Sequence, residues 1–200
     1  MLKSSPYLLG MVIVLFLFVS SCFGRPTSVS NSNIAAANFI RTSCREATYP
    51  SKCVQSLISF APIIKRNPLK LAHTALTLSL SRAQTTNKFV HELAKFRTLR
   101  PGEKGPLADC CQVIDDTVDK LNKSIMELKL VGLGKNARWH ISNLETWVSA
   151  ALTNENTCVD GFAERSLDGR VKTSIRSRLL DVGQVTSNAL ALIAKYADKH

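Results

Sequence analysis

Several catalytic and metal-binding motifs are missing from this sequence. It has no glycine-rich phosphate loop, no G-x-S-x-G and no H-E-x-x-H. Its four histidines lack the spacing of metal ligands. Aromatic residues make up only 6% of the chain, and alternating β-branched residues are few, so nothing predicts a sheet. These absences give no support to nucleotide, hydrolase or metal chemistry, and we expect no cofactor and no bound metal.

The chain also lacks an apolar run long enough for a comfortable membrane span. Residues 7–19 are apolar, follow Lys3 and lead into small residues ending at Gly24. A transmembrane helix needs about 20 residues, so the pattern favours a secretory signal peptide over a retained anchor. We predict a signal peptide at residues 1–24 and a secreted, extracellular domain at residues 25–200, with no membrane contact afterwards. Cleavage removes Lys3 and Cys22, leaving a net charge of +10 and five cysteines.

One amphipathic helix, predicted over residues 107–128, organises the rest of the chain. Its apolar residues recur at steps of four and three, which predicts lengthwise packing against other helices. They are Leu107, Cys111, Ile114, Val118, Leu121, Ile125 and Leu128. Pro106 suits the first turn of this helix. Its flank carries Asp109, Gln112, Asp116 and Asp119, which by spacing alone are more often solvated surface than a carboxylate site.

Three further long helices are predicted, over residues 69–97, 137–152 and 173–197. Asn67 is a suitable N-cap and Pro68 a suitable first residue for the earliest of them. Two short helical segments precede it and are separated at Tyr49-Pro50, because the residue before proline avoids the α region. We therefore predict an all-α fold: an up-down-up-down four-helix bundle with an N-terminal helical hairpin extension and two disulfides.

The cysteines are expected to pair in an oxidising compartment. Cys44 and Cys53 flank the tight reversal of the hairpin, and the alternative is a pair of reduced thiols. The partner of Cys158 is either Cys110 or Cys111, since vicinal cysteines rarely bond to each other. Cys111 falls on the core seam and Cys110 lies about 100° round the helix. We predict the bonds Cys44–Cys53 and Cys110–Cys158, with Cys111 a buried free thiol.

Two surface features remain. Asn122-Lys123-Ser124 is an N-glycosylation sequon on a predicted helix, so Asn122 is a glycosylation candidate. Basic residues are dispersed along the chain. In a secreted protein such charge points first to polyanions of the cell surface or wall, not to nucleic acid. The alternative is a basic surface that is only solvated.

Three segments resemble the plant invertase and pectin methylesterase inhibitor family. They are CREATYPSKC, LADCCQVIDDTVDKL and ISNLETWVSAALTNENTCVDGF, and the resemblance covers about residues 30–197. It implies a four-helix bundle with an N-terminal hairpin and two disulfides. It also implies a non-catalytic inhibitor that acts in the plant cell wall. Such an inhibitor forms a one-to-one complex with pectin methylesterase and covers the enzyme's cleft for the pectin chain.

The resemblance places the target-facing surface on the acidic flank and the T-C-x-D segment, here Asp116, Asp119, Thr157 and Asp160. The segment around WVSAALTNENTC is similar to the methylesterase branch, and GLGKNARWH lacks the Pro-Lys-Phe element common in invertase inhibitors. Invertase inhibition is the alternative, and a non-inhibitory wall-binding bundle is another. The family often has an acidic and an aromatic residue where this chain has Gln112 and Ile114.

Two further expectations concern the whole chain. It ends at His200 without a β-rich enzyme domain, so we expect an inhibitor and not a methylesterase precursor. Many plant methylesterases are basic, as this chain is. We expect a local acidic patch to dock nevertheless, because salt at 0.15 M screens charges beyond about 8 Å. The hypothesis is that basic faces hold the protein on anionic pectin while the acidic flank meets the enzyme.

Overall fold

The structure, a computed structural model, describes residues 31–96, 98–134, 136–163 and 167–199. The predicted signal peptide, residues 1–24, lies outside these ranges. Within them every regular element is a helix, and none of these helices has the length and apolar character to cross a membrane.

The N-terminal part is a helical hairpin. It comprises α1 (Asn31–Ser43), α2 (Pro50–Leu57) and the single-turn α3 (Ala61–Ile64), with 3₁₀ turns at Cys44–Glu46 and Ile58–Phe60. A disulfide joins Cys44 to Cys53, with Cα atoms 5.6 Å apart. Among the contacts between the hairpin and the bundle, both backbone polar groups of Tyr49 bond to the side chain of Asn188. The Tyr49 N–H donates to Asn188 Oδ1 at 2.8 Å, and Asn188 Nδ2 donates to the Tyr49 carbonyl at 3.0 Å.

Four long helices form the bundle: α4 (Pro68–Ala94), α5 (Pro101–Val131), α6 (Ala137–Asp160) and α7 (Arg170–Ala197). Each packs against two others, in the order α4, α5, α6, α7 and back to α4. Neighbours in this ring run antiparallel. His140 at the start of α6 lies 2.6 Å from Glu127 near the end of α5, whereas Cys158 near the end of α6 bonds to Cys110. The up-down-up-down bundle and its hairpin extension are confirmed.

The start of α4 follows the sequence signal. Asn67 has extended backbone geometry, and its side-chain Oδ1 accepts from the Lys70 N–H at 2.9 Å. Pro68 occupies the first helical position. Local capping therefore sets this boundary, as predicted.

The start of α5 was predicted too late. The helix begins at Pro101, and Pro106 lies inside it instead of in its first turn. The carboxylate of Glu103 is buried and accepts from the Arg100 N–H at 2.9 Å, and the Arg100 guanidinium donates to it at 2.7 Å. This contact caps the helix start at Pro101, six residues before the predicted start at Leu107.

The apolar seam of α5 also differs from the prediction at two positions. Thr117 and Ser124 are fully buried, and the neighbouring Val118 and Ile125 are half-buried. Both hydroxyls donate to the carbonyl four residues earlier, at 3.0 Å and 2.8 Å. A small hydroxyl residue can therefore occupy the core, because its polar group is satisfied within its own helix.

Candidate functional site: the charged face of α5 and α6

Asp116, on the outer side of α5, has partners on both α5 and α6. Its Oδ2 accepts from Asn154 Nδ2 of α6 at 2.8 Å, and its Oδ1 lies 3.1 Å from Lys120 Nζ. The bond from Asn154, followed by that from Lys120, holds the pKa of the Asp116 carboxyl below its usual value, although partial burial opposes this. Asp116 is therefore an ionised carboxylate whose position is fixed from both helices.

One helical turn further, the face carries a second ion pair over an aromatic ring. Asp119 is exposed and its Oδ2 lies 2.7 Å from Lys123 Nζ. The ammonium groups of Lys120 and Lys123 lie 5.0 Å and 5.2 Å from the centre of the Trp147 ring of α6. The ring face attracts both cations, so Trp147 fixes the lysines that pair with the two aspartates.

The T-C-x-D segment lies on the same pair of helices. Thr157 is exposed and follows Asn154 by one turn of α6, with its hydroxyl donating to the Thr153 carbonyl at 3.0 Å. Asp160 is exposed and is the last residue of the helix. Two of the residues predicted from the resemblance, Asp116 and Asp119, therefore lie on α5, and the other two lie at exposed positions near the end of α6. Asp160 lies about 9 Å along the axis of α6 from Asn154, the partner of Asp116.

The helix α6 is longer than predicted, so the T-C-x-D segment lies within it and not beyond its end. The prediction ended it at Leu152 and put Cys158 beyond it, but α6 continues to Asp160. The disulfide Cys110–Cys158 links the two helices with Cα atoms 4.6 Å apart, and Cys111 is a buried free thiol. Burial, and then the charge of Asp115, raises the pKa of the Cys111 thiol.

A buried carboxyl in α6 explains why the helix was predicted too short. Glu155 is 4% exposed, at a position where the pattern calls for an apolar residue. Its Oε1 lies 3.4 Å from the Thr186 hydroxyl of α7, which itself donates to the Val182 carbonyl at 2.8 Å. A Cβ at Gly183 would lie 2.8 Å from Glu155 Oε2, so the glycine makes room for the carboxyl.

Burial raises the pKa of Glu155 to about 8. Below that pH the carboxyl is neutral and can donate to the Thr186 oxygen. No other charged side chain is found among the described residues that line its cleft between α6 and α7. The sequence offered Glu155 only as one polar residue among many in TNENTC, so its role was missed.

Other parts of the face were missed although the sequence held a signal. Asp116 with Lys120 and Asp119 with Lys123 are acid–base pairs at spacing four, which face each other on a helix. The contribution of Trp147 required knowing which helix packs beside α5.

Asn122 lies on an exposed position of α5 and donates to the Val118 carbonyl at 3.0 Å. Across the described ranges, no cluster of three or more metal-ligating side chains is present.

The fold and this face define a class of protein: a disulfide-linked helical bundle that presents a fixed charged surface to solvent. Within that class the family can be stated. The model of the plant invertase/pectin methylesterase inhibitor family matches residues 38–192, and the chain belongs to that family.

Individual relatives agree with this assignment. Pectinesterase inhibitor 11 from Arabidopsis thaliana is 45% identical over 194 residues, which cover 94% of this chain and 96% of that protein. The 21 kDa protein from Daucus carota is 44% identical and covers 84% of this chain and 89% of that protein. A crystal structure of a mutant pectin methylesterase inhibitor from Arabidopsis shares the fold, with a TM-score of 0.63 at 22% identity, covering 78% of this chain and 95% of that one.

Proposed function

We propose that this chain is a secreted inhibitor of pectin methylesterase and not itself an enzyme. The observation that carries the proposal is its 45% identity, over nearly the full length of both chains, to a protein named a pectinesterase inhibitor. Two disulfides in a small domain are consistent with an extracellular site of action in the plant cell wall. Residues 1–24 would be the signal peptide, with Asn122 open to glycosylation during secretion.

The proposed target-binding surface is the face of α5 and α6 that carries Asp116, Asp119, Thr157 and Asp160. Its support is geometric, because ordered side chains lose less conformational entropy when they bind. Asn154, Lys120 and Lys123 hold the aspartates, and the disulfide Cys110–Cys158 fixes the two helices. In a one-to-one complex, this face would cover the substrate cleft and exclude the pectin chain.

The test is a titration of the mature, oxidised chain against a plant pectin methylesterase and an acid invertase in parallel. Loss of methylesterase activity that saturates near one equivalent is the expected result. Loss of invertase activity alone would overturn the choice of target, and silence in both assays would leave a non-inhibitory, wall-binding bundle.

Charge reversal tests the surface itself. Asp116→Lys with Asp119→Lys should weaken inhibition at least about tenfold, which corresponds to about 1.4 kcal/mol of binding free energy. The matched control is Glu92→Lys with Asp198→Lys, which makes the same change in net charge at exposed positions elsewhere. Equal loss in both variants would mean that net charge, and not this face, governs binding. Unchanged helical circular dichroism is required of both.

A further inference from the structure

An open groove of about 1050 Å³ runs between α4 and α7, the two long helices that do not carry the proposed enzyme-binding face. Four cationic side chains line it: Arg82 from α4, and Lys172, Arg176 and Arg178 from α7. From Lys172 to the level of Arg82, which lies beside Asp181, the groove follows α7 for about 14 Å. It is therefore an extended, basic trough.

The carboxylates in the groove already have partners. Asp168 lies 2.8 Å from Lys172 Nζ. Asp181 pairs with Lys52 of α2 and lies 3.5 Å from Arg82 Nη1. Among the described residues, neither Arg176 nor Arg178 forms an ion pair. Their positive charge therefore remains available to an anion from outside the chain.

The remaining lining suits a sugar chain. The guanidinium of Arg178 lies over the Phe89 ring, with Cζ 3.9 Å from the ring centre, and this contact fixes its plane at the groove floor. Hydroxyl side chains lie between the cations and can bond the hydroxyls of a saccharide. They are Thr85, Thr173, Ser174 and Ser177. A planar guanidinium binds a carboxylate through two parallel hydrogen bonds.

We propose that the α4/α7 groove binds a stretch of de-esterified galacturonan, with Arg176 and Arg178 as its carboxylate-binding residues. Only the identity of the ligand rests on the proposed function, since free galacturonate carboxylates are what a pectin methylesterase produces. The groove and the Asp116 face belong to different helix pairs, α4/α7 and α5/α6. One molecule can thus hold the enzyme's product on one face while it holds the enzyme on the other.

The test measures binding of a de-esterified oligogalacturonide to the mature chain by titration calorimetry over a series of salt concentrations. Arg176→Glu with Arg178→Glu should weaken binding at least about tenfold and flatten its salt dependence. Arg66→Glu with Lys70→Glu makes the same charge change at exposed positions away from the groove, and binding should stay within about twofold of the parent. The fully methyl-esterified oligomer should not bind.

Two alternative results would overturn the proposal. Equal weakening by both variants would mean that net charge alone attracts the polymer. Equal binding of the methyl-esterified oligomer would mean that the carboxylates of the ligand do not contribute to binding. Methylesterase inhibition, measured on the same variants, separates the two proposals: it should survive Arg176→Glu with Arg178→Glu. If the parent inhibits nothing and yet binds oligogalacturonide through Arg176 and Arg178, the groove stands and only the proposed target fails.

Discussion

The two helix pairs of the bundle hold their surface charges in different ways. On α5/α6, a disulfide joins the helices, and the aspartates are paired with lysines that lie over Trp147. On α4/α7, no disulfide joins the described residues, and Arg176 and Arg178 have no acidic partner there. The first surface is a fixed, charge-balanced template suited to a folded protein. The second keeps positive charge for a flexible polyanion.

Of the changes that test this comparison, removing the disulfide Cys110–Cys158 should have the largest effect on the free energy of unfolding. Cys110→Ala with Cys158→Ala opens a loop closed over 48 positions and should lower the free energy of unfolding by about 4 kcal/mol. Guanidinium unfolding of the oxidised proteins measures this loss. Cys111→Ala, which removes the adjacent buried thiol, is the control and should cost about 1 kcal/mol. Equal losses would mean that packing, and not the covalent bond, joins α5 to α6.

The protonation state of Glu155, which lies where α6 meets α7, should have the next largest effect on the free energy of unfolding. The folded-state pKa is raised to about 8, so the folded chain keeps a proton that the unfolded chain loses above its own lower pKa. The stabilisation is complete at acidic pH, falls as pH rises and is lost through pH 8. Between pH 5 and pH 7.5 the free energy of unfolding should drop by about 3 kcal/mol.

Glu155→Gln should remove this pH dependence, because a neutral amide occupies the same space and can still bond Thr186. Unfolding curves of the parent and the variant at pH 5, 6.5 and 7.5 make the comparison. The two proteins should be similar at pH 5, and the variant should be the more stable at pH 7.5. Parallel pH profiles would show that Glu155 ionises freely in the folded chain.

These two sites also show what the sequence could and could not provide. The disulfide pairing was predictable, because the heptad-like seam distinguishes Cys110 from its neighbour Cys111 by about 100° around one helix. The length of α6 was not, because Glu155 and the polar residues beside it hide the helical period. The burial of the Glu155 carboxyl can be explained only once Thr186 and Gly183, on another helix, are known to lie beside it.

The two charged surfaces also differ in how far the sequence could predict them. Helical spacing placed the aspartates at 116 and 119 on the flank of α5, and the family resemblance predicted that they face the target. Their lysine partners lie four residues away on the same helix, where sequence spacing is informative. The basic groove had only part of its signal in the sequence, because Lys172, Arg176 and Arg178 are near one another along α7. Arg82 and Arg178 are far apart in the chain and come together only through the antiparallel packing of α4 and α7, so the sequence showed dispersed charge where the structure has a trough.

Replacing the two aromatic rings should have the smallest effect on stability and should separate the surfaces by function. Trp147→Leu and Phe89→Leu each keep an apolar side chain but remove the ring face under a cation, so each should cost about 0.5–1 kcal/mol. Trp147→Leu releases Lys120 and Lys123 from fixed positions, and we expect weaker methylesterase inhibition with unchanged oligogalacturonide binding. Phe89→Leu releases Arg178, and we expect the reverse. If either variant impaired both activities equally, the two faces would not act independently, because a change confined to one helix pair would then have altered the other.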